Sequence, residues 1–204
     1  MSPANTNQYK RERTPIILIV CEGRNKTEKL FFDHFITRNA PYSLKIEHTD
    51  ATDIKNMAKT ANRFYKKYEM SGEIGDRAFC VVDLDLNTDK LQMYEEAVKT
   101  YPNIEFIVSN PCFEVWLLYY FTENPKVCNS SQEEKEYMGR FVKGYNESYD
   151  VIGEKKLHDK HDIAVERSLK KNRLYGNKAI LDRNPYTEVH KVIMALKEIM
   201  NKKR

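Results

Sequence analysis

Three short apolar runs, each stopped by polar or acidic residues, limit what this chain can become. Ile16 to Cys21 (IILIVC) halts at Glu22-Gly23, and Ala78 to Val82 (AFCVV) halts at Asp83-Leu84-Asp85. Ile104 to Ser109 (IEFIVS) runs into Asn110-Pro111. Runs of five or six residues rich in β-branched side chains read as strands buried on both faces, the kind found in parallel sheets.

The segments between them carry helical spacing. Leu30, Phe31, Phe35 and Ile36 predict a helix over about 26–37. Asp53 is placed to cap a helix bearing Ile54, Met57, Ala58, Ala61, Phe64, Tyr65 and Tyr68. Another helix is expected over about 89–100. Ser43 to Thr49 alternates and reads as a weaker, edge-like strand. Asn110-Pro111 resembles a cap followed by a first-turn proline, which predicts a helix from there through Phe121. The β-α alternation implies an α/β fold, a Rossmann-like and mostly parallel four-stranded sheet with flanking helices. Beyond Thr122 no further strand run is visible, and Asn184-Pro185 repeats the cap-plus-proline signal before a last helix. The expected division is a loose N-terminus over 1–13, an α/β domain over 14–122, and an all-helical C-terminal extension over 123–204 packed on it.

Composition narrows the function classes. The chain of 204 residues is 41% hydrophobic and 31% charged. No run approaches about 18 uninterrupted apolar residues, so no membrane span is expected. The first fifteen residues lack an apolar signal-peptide core, and the four cysteines are widely spaced, which points to a cytoplasmic protein with reduced thiols. The net charge of +4 is unevenly distributed. Residues 1–154 carry 20 Lys and Arg against 24 Asp and Glu, while residues 155–204 carry 14 against 6. No GxxxxGK[ST], GxGxxG or GxSxG motif is present, so neither a P-loop ATPase, a dinucleotide enzyme nor an α/β-hydrolase is supported.

Open parallel sheets bind ligands at the carboxyl ends of their strands. Glu22 ends the first run and Asp83 and Asp85 end another, so three carboxylates are expected to meet if those strands are neighbours. Clustered carboxylates repel one another unless a cation neutralises them. An oxygen-only set favours Mg²⁺ or Mn²⁺, which suits phosphodiester hydrolysis or nucleotidyl transfer. Gly23 permits a tight turn after Glu22.

The stretches ILIVCEGRNKTEKLFF, CVVDLDL, SNPCFEVWLLYYF and DRNPYTEVHKVIMALKEI resemble the RloB family of bacterial proteins, which carry a Toprim-type domain. Toprim units, found also in type IA topoisomerases, bacterial primases, OLD-type nucleases and small ribosomal-RNA maturases, place a glutamate after the first strand and an Asp-x-Asp after the third. Here those positions are Glu22, Asp83 and Asp85. The resemblance implies a Mg²⁺-dependent nuclease linked to restriction loci and phage defence, with Glu22 as general acid or base and the Asp pair on metal. It also places Asn110, Glu114, Glu28 and Gly23 as supporting residues. A Toprim nuclease of the OLD kind works beside an ATPase, so a separate ATPase or restriction-system subunit is an implied partner, and a homodimer is compatible with this reading.

Basic residues complete the candidate set. Arg24 and Lys26 follow the glutamate and are placed to hold a phosphate. Lys155, Lys156, Lys170, Lys171 and Arg173 form a basic stretch suited to RNA (including tRNA) or DNA. His158 and His161 read as a polar helix start rather than a zinc pair, and Trp116, Tyr119 and Tyr120 as core. The competing reading is a non-catalytic module that binds nucleic acid or a protein partner of a restriction or defence locus.

Overall fold

A computed structural model describes residues 13–23, 27–49 and 53–202. Five strands form one sheet in the order β2-β1-β3-β4-β5. They are β1 (Ile16–Glu22), β2 (Ser43–Thr49), β3 (Arg77–Asp83), β4 (Glu105–Asn110) and β5 (Tyr186–Thr187). The first four are parallel, and β2 is the partly exposed edge that its alternating sequence predicts. Because β2 and β3 lie on opposite sides of β1, the chain reverses its direction of travel across the sheet between β1 and β3.

Residues two apart on a strand face the same way, and that alternation divides the interior. Leu18, Val20, Ala78, Cys80 and Val82 meet α2 (Ile54–Lys67) and α3 (Thr88–Thr100) on one face. Ile17, Ile19, Phe79 and Val81 meet α1 (Thr27–Asp33), α4 (Glu114–Leu118) and α8 (Val189–Lys202) on the other. Trp116, Tyr119 and Tyr120 are buried there, as expected of core aromatics. Asp53 caps α2 by accepting from the Asn56 N–H at 2.9 Å. The four cysteines are buried free thiols. Among the described residues, no helix is long and apolar enough to cross a membrane.

The extension departs from the expected all-helical form. It contains α5 (Ser131–Met138), α6 (Val151–Glu154), α7 (His161–Tyr175) and α8, but it also returns to the sheet as β5. This fifth strand pairs antiparallel with β4, Ser109 opposite Thr187 and Asn110 opposite Tyr186. The four-strand expectation is therefore corrected to five. A two-residue strand has too few residues to reveal an alternating pattern.

Both Asn-Pro signals are also misleading. Asn110 is the last residue of β4, its bond to Pro111 is cis, and the helix opens only at Glu114. Asn184-Pro185 is likewise cis and leads into β5, with α8 opening at Val189. Neither side chain caps a helix: Asn110 Oδ1 accepts from the Leu86 N–H and its amide donates to the Arg183 carbonyl, while Asn184 Nδ2 donates to the Cys128 carbonyl at 2.7 Å. The first helix is shorter than expected, ending at Asp33 rather than Thr37. The expected loose segment 1–13 lies outside the described residues except for Arg13, which is anchored.

That anchor joins the starts of two core strands. The buried Asp76 carboxylate accepts from the Arg13 guanidinium at 3.0 and 2.6 Å, from the Ile16 N–H at 2.7 Å and from the Ser71 N–H at 2.8 Å. Asp76→Ala leaves two backbone donors and a partly covered cation without their acceptor. Urea denaturation should show a loss of about 3 kcal/mol. A loss below about 0.5 kcal/mol, the size of an ordinary surface change, would show that solvent replaces this carboxylate.

Candidate functional site

Glu22 is the last residue of β1, and Gly23 turns the chain away with φ +65°, a conformation that favours glycine. The Gly23 N–H donates to the Thr49 carbonyl at 2.9 Å, tying this turn to the end of β2. Asp83 ends β3, one strand away. Asp85 and Leu86 then adopt φ +51° and +56°, two successive left-handed residues without a glycine. Such backbone is strained and persists only where surrounding bonds impose it.

The imposing bonds come from the end of β4. The Leu84 N–H donates to the Ser109 carbonyl and the Asp85 N–H to the Pro111 carbonyl, both at 2.9 Å. The Leu86 N–H donates to Asn110 Oδ1 at 3.1 Å. The amide group of Asn110 continues the chain of contacts, since its Nδ2 donates to the Leu181 and Arg183 carbonyls at 3.2 and 2.9 Å. Asn110 thus fixes the Asp-x-Asp turn to the extension.

These strand ends enclose a cavity of about 250 Å³. Glu22, Glu28, Asp83, Asp85 and Glu114 line it, together with Thr27 and Cys112. Lys90, Lys135 and Glu147 complete the wall. Six carboxylates therefore share the space with two ammonium groups. Asp85 accepts from Lys90 Nζ and from the Ser131 hydroxyl in short contacts. Glu114, buried at the start of α4, accepts from the Tyr145 hydroxyl at 2.7 Å, and Thr27 Oγ1 lies 3.1 Å from that hydroxyl. Lys135 pairs with Glu147.

Asp83 differs from its neighbours. Its Oδ1 is buried and has no hydrogen-bond partner among the described residues. Burial raises its pKa well above the ordinary carboxylate range, and Glu28, Glu114 and Asp85 raise it further while Lys90 opposes them. For Lys135, burial favours the neutral amine, but Glu147 and Glu114 outweigh it and hold the ammonium charged. Burial, then Glu114 and Asp83, pushes the Cys112 thiol up, and most of the polar atoms lining the pocket are carboxylate oxygens.

That donor set suits a hard divalent cation. The orphaned Asp83 oxygen, crowded by like charge, is where a cation would be most favoured. Among the described residues, however, no three His, Cys, Asp or Glu side chains already stand as an ion cage.

The structure therefore brings Glu22, Asp83, Asp85, Glu28 and Glu114 to one cavity, with Gly23 and Asn110 in the turns behind them. Arg24 and Lys26 lie outside the described residues. Lys155, Lys156, Lys170, Lys171 and Arg173 do not line the cavity. Lys170 instead pairs with Glu123, and Lys171 lies 5.8 Å above the Tyr175 ring. The cations that do line it, Lys90 and Lys135, escape a reading of the sequence, as do Ser131, Tyr145 and Glu147. All of these except Lys90 belong to the extension, whose polar segments carry no motif that announces them.

Fold and site together define an α/β protein that gathers carboxylates at the carboxyl ends of parallel strands, beside a strand-order reversal. The chain belongs to the RloB-like protein family, whose model matches residues 17–196. No curated protein and no solved structure matches it.

Behind the cavity, Glu134 is buried beside Cys128, and burial, with a further push from Glu114, raises its pKa from 4.5 to about 7. The unfolded chain loses this proton near pH 4.5 and the folded chain near 7. The associated stability is complete below 4.5 and is lost as pH rises through 7, by about 3 kcal/mol. Glu134→Gln should therefore raise the denaturation midpoint at pH 8 and not at pH 4.5. An equal effect at both values would discard the assignment.

Proposed function

We propose that the protein is a metal-dependent phosphodiesterase of the Toprim type acting on nucleic acid, RNA or DNA, in bacterial defence against phage. The observation that carries this reading is the buried, unpartnered Oδ1 of Asp83 at the meeting point of acids from four different elements. A fold tolerates such crowding where a cation or a cationic transition state relieves it.

In this reading Asp83, Asp85 and Glu22 hold Mg²⁺ or Mn²⁺, which supplies charge neutralisation at a phosphoryl oxygen. Glu22 manages the proton of the attacking water. Lys90 and Lys135 neutralise phosphate oxygens, because an incoming polyanion competes with Asp85 and Glu147 for their ammonium groups. Tyr145 holds Glu114 in orientation. Asn110 sets the height of the Asp-x-Asp turn, a positioning role rather than a chemical one.

A second reading, a binding module without catalysis, draws support from the Lys90 and Ser131 contacts that occupy Asp85 and from the lack of a ready ion cage among the described residues. One experiment separates the two. The protein is incubated with mixed RNA and DNA under Mg²⁺, Mn²⁺ or EDTA. Asp83→Asn should abolish cleavage by at least about a hundredfold, the scale of losing one electrostatic catalytic group, while its circular dichroism and melting profile stay those of a folded protein. Cleavage that persists in the variant or in chelator sinks the catalytic reading, and metal-independent binding in its place supports the module.

A further inference from the structure

Away from the acidic cavity, a histidine pair joins the end of α1 to the extension. His34 Nε2 lies 2.8 Å from Asp150 Oδ1, and His34 Nδ1 lies 3.0 Å from His158 Nε2. A carboxylate only accepts, so His34 carries its proton on Nε2 and turns the lone pair of Nδ1 toward His158. A backing carboxylate that fixes the tautomer and raises the basicity of the opposite nitrogen is the usual support of a metal-bound imidazole.

The surroundings preserve this arrangement. The Gly153 N–H donates to Asp150 Oδ1 at 3.0 Å. A Cβ on Gly153 would stand 2.3 Å from Asp150 Oδ2 and 3.3 Å from His34 Cε1, so a larger residue there would push the backing carboxylate out of its present position. Both imidazoles border a cavity of about 700 Å³, which can take water or a small ligand. His161, three residues on, lines the same cavity but its Nδ1 is bonded to the Tyr120 hydroxyl at 2.6 Å, so the His-x-x-His spacing does not itself make the pair.

The geometry points to a zinc-type binding site at His34 and His158, in which a borderline divalent ion replaces the shared proton and water fills its remaining positions. Two Zn–N bonds of about 2.0–2.1 Å in tetrahedral array set the nitrogens roughly 3.3 Å apart, a few tenths of an ångström from their present separation. With His158 protonated on its other nitrogen, both facing lone pairs are available without a change of fold. Two imidazoles make an open site rather than a closed structural one, in keeping with the absence of any three-residue cage among the described residues. The ion would clasp α1 to the short 3₁₀ turn His158–Lys160 that precedes α7.

Zinc titration of the full chain, by calorimetry and by the visible absorption of Co²⁺ as a substitute, tests the site. One equivalent should bind, and the melting midpoint should rise by several degrees. His158→Ala, at an exposed position, and Gly153→Ala, which displaces the backing carboxylate, should each weaken binding at least tenfold. His161→Gln should bind as the unaltered protein does. Full-strength binding by the His34→Ala/His158→Ala double variant overturns the proposal. So does a loss confined to Asp83→Asn, which would place the ion in the acidic cavity. Zinc uptake is measured without nucleic acid, so failure of this site and failure of the cleavage reading stay distinguishable.

Discussion

Like charge crowded at the end of a parallel sheet organises this molecule. Asp83 projects from a strand whose preceding residues are wholly apolar from Ala78 onward, into a space that Glu28, Glu114 and Asp85 also face. Two unit charges at 4 Å repel by about 4 kcal/mol under partly buried conditions, a cost on the scale of a domain's whole stability. Three carboxylates of the cavity are compensated, Asp85 by Lys90 and Ser131, Glu114 by Tyr145, Glu147 by Lys135. The compensation stops at Asp83 Oδ1.

The compensating groups explain why the extension cannot be separated from the α/β unit. Ser131, Lys135 and Tyr145 all come from it, and they act on Asp85 after β3, on Glu147 of their own segment and on Glu114 of α4. β5 adds a ladder to β4 at the residues that lead into Pro111, while Asn110 reaches the carbonyls of 181 and 183. The left-handed turn at Asp85 and Leu86 is thus held from two directions, by the strand beside it and by the extension behind that strand. Strain of this kind is stored where position matters more than local comfort.

Much of this is legible in the sequence, and the remainder has identifiable causes. Runs buried on both faces are continuous in hydrophobicity, so β1, β3 and β4 announce themselves, and the acids that stop them mark the site. The neighbour relation of β1 and β3, only a condition in the sequence, is supplied by the strand order. β5 stays hidden because two residues cannot show a period. Asn110 and Asn184 mislead because cap-plus-proline spacing is shared by a helix start and by a strand end whose amide serves distant backbone. The basic stretch over 155–173 is prominent in composition yet stands on other surfaces, whereas Lys90 and Lys135 reach the acids as single charges within ordinary helices. Charge density along the chain is a poor guide to charge in space, because a helix distributes successive residues around its whole circumference.

The two proposed ion sites share one short element. α1 opens with Thr27 and Glu28 against the acidic cavity and closes at Asp33, beside His34 and the histidine pair. Seven residues of helix span about 10 Å, close enough that a clasp at one end fixes the orientation of the other. The donors differ in kind, carboxylates at one end and imidazoles at the other, and hard and borderline cations sort between them on that basis. A zinc ion at His34 would not compete for the Asp83 corner. It would instead limit how far Thr27 can move from Tyr145 and the Glu147 carbonyl, to which its hydroxyl is bonded at the wall of the acidic cavity.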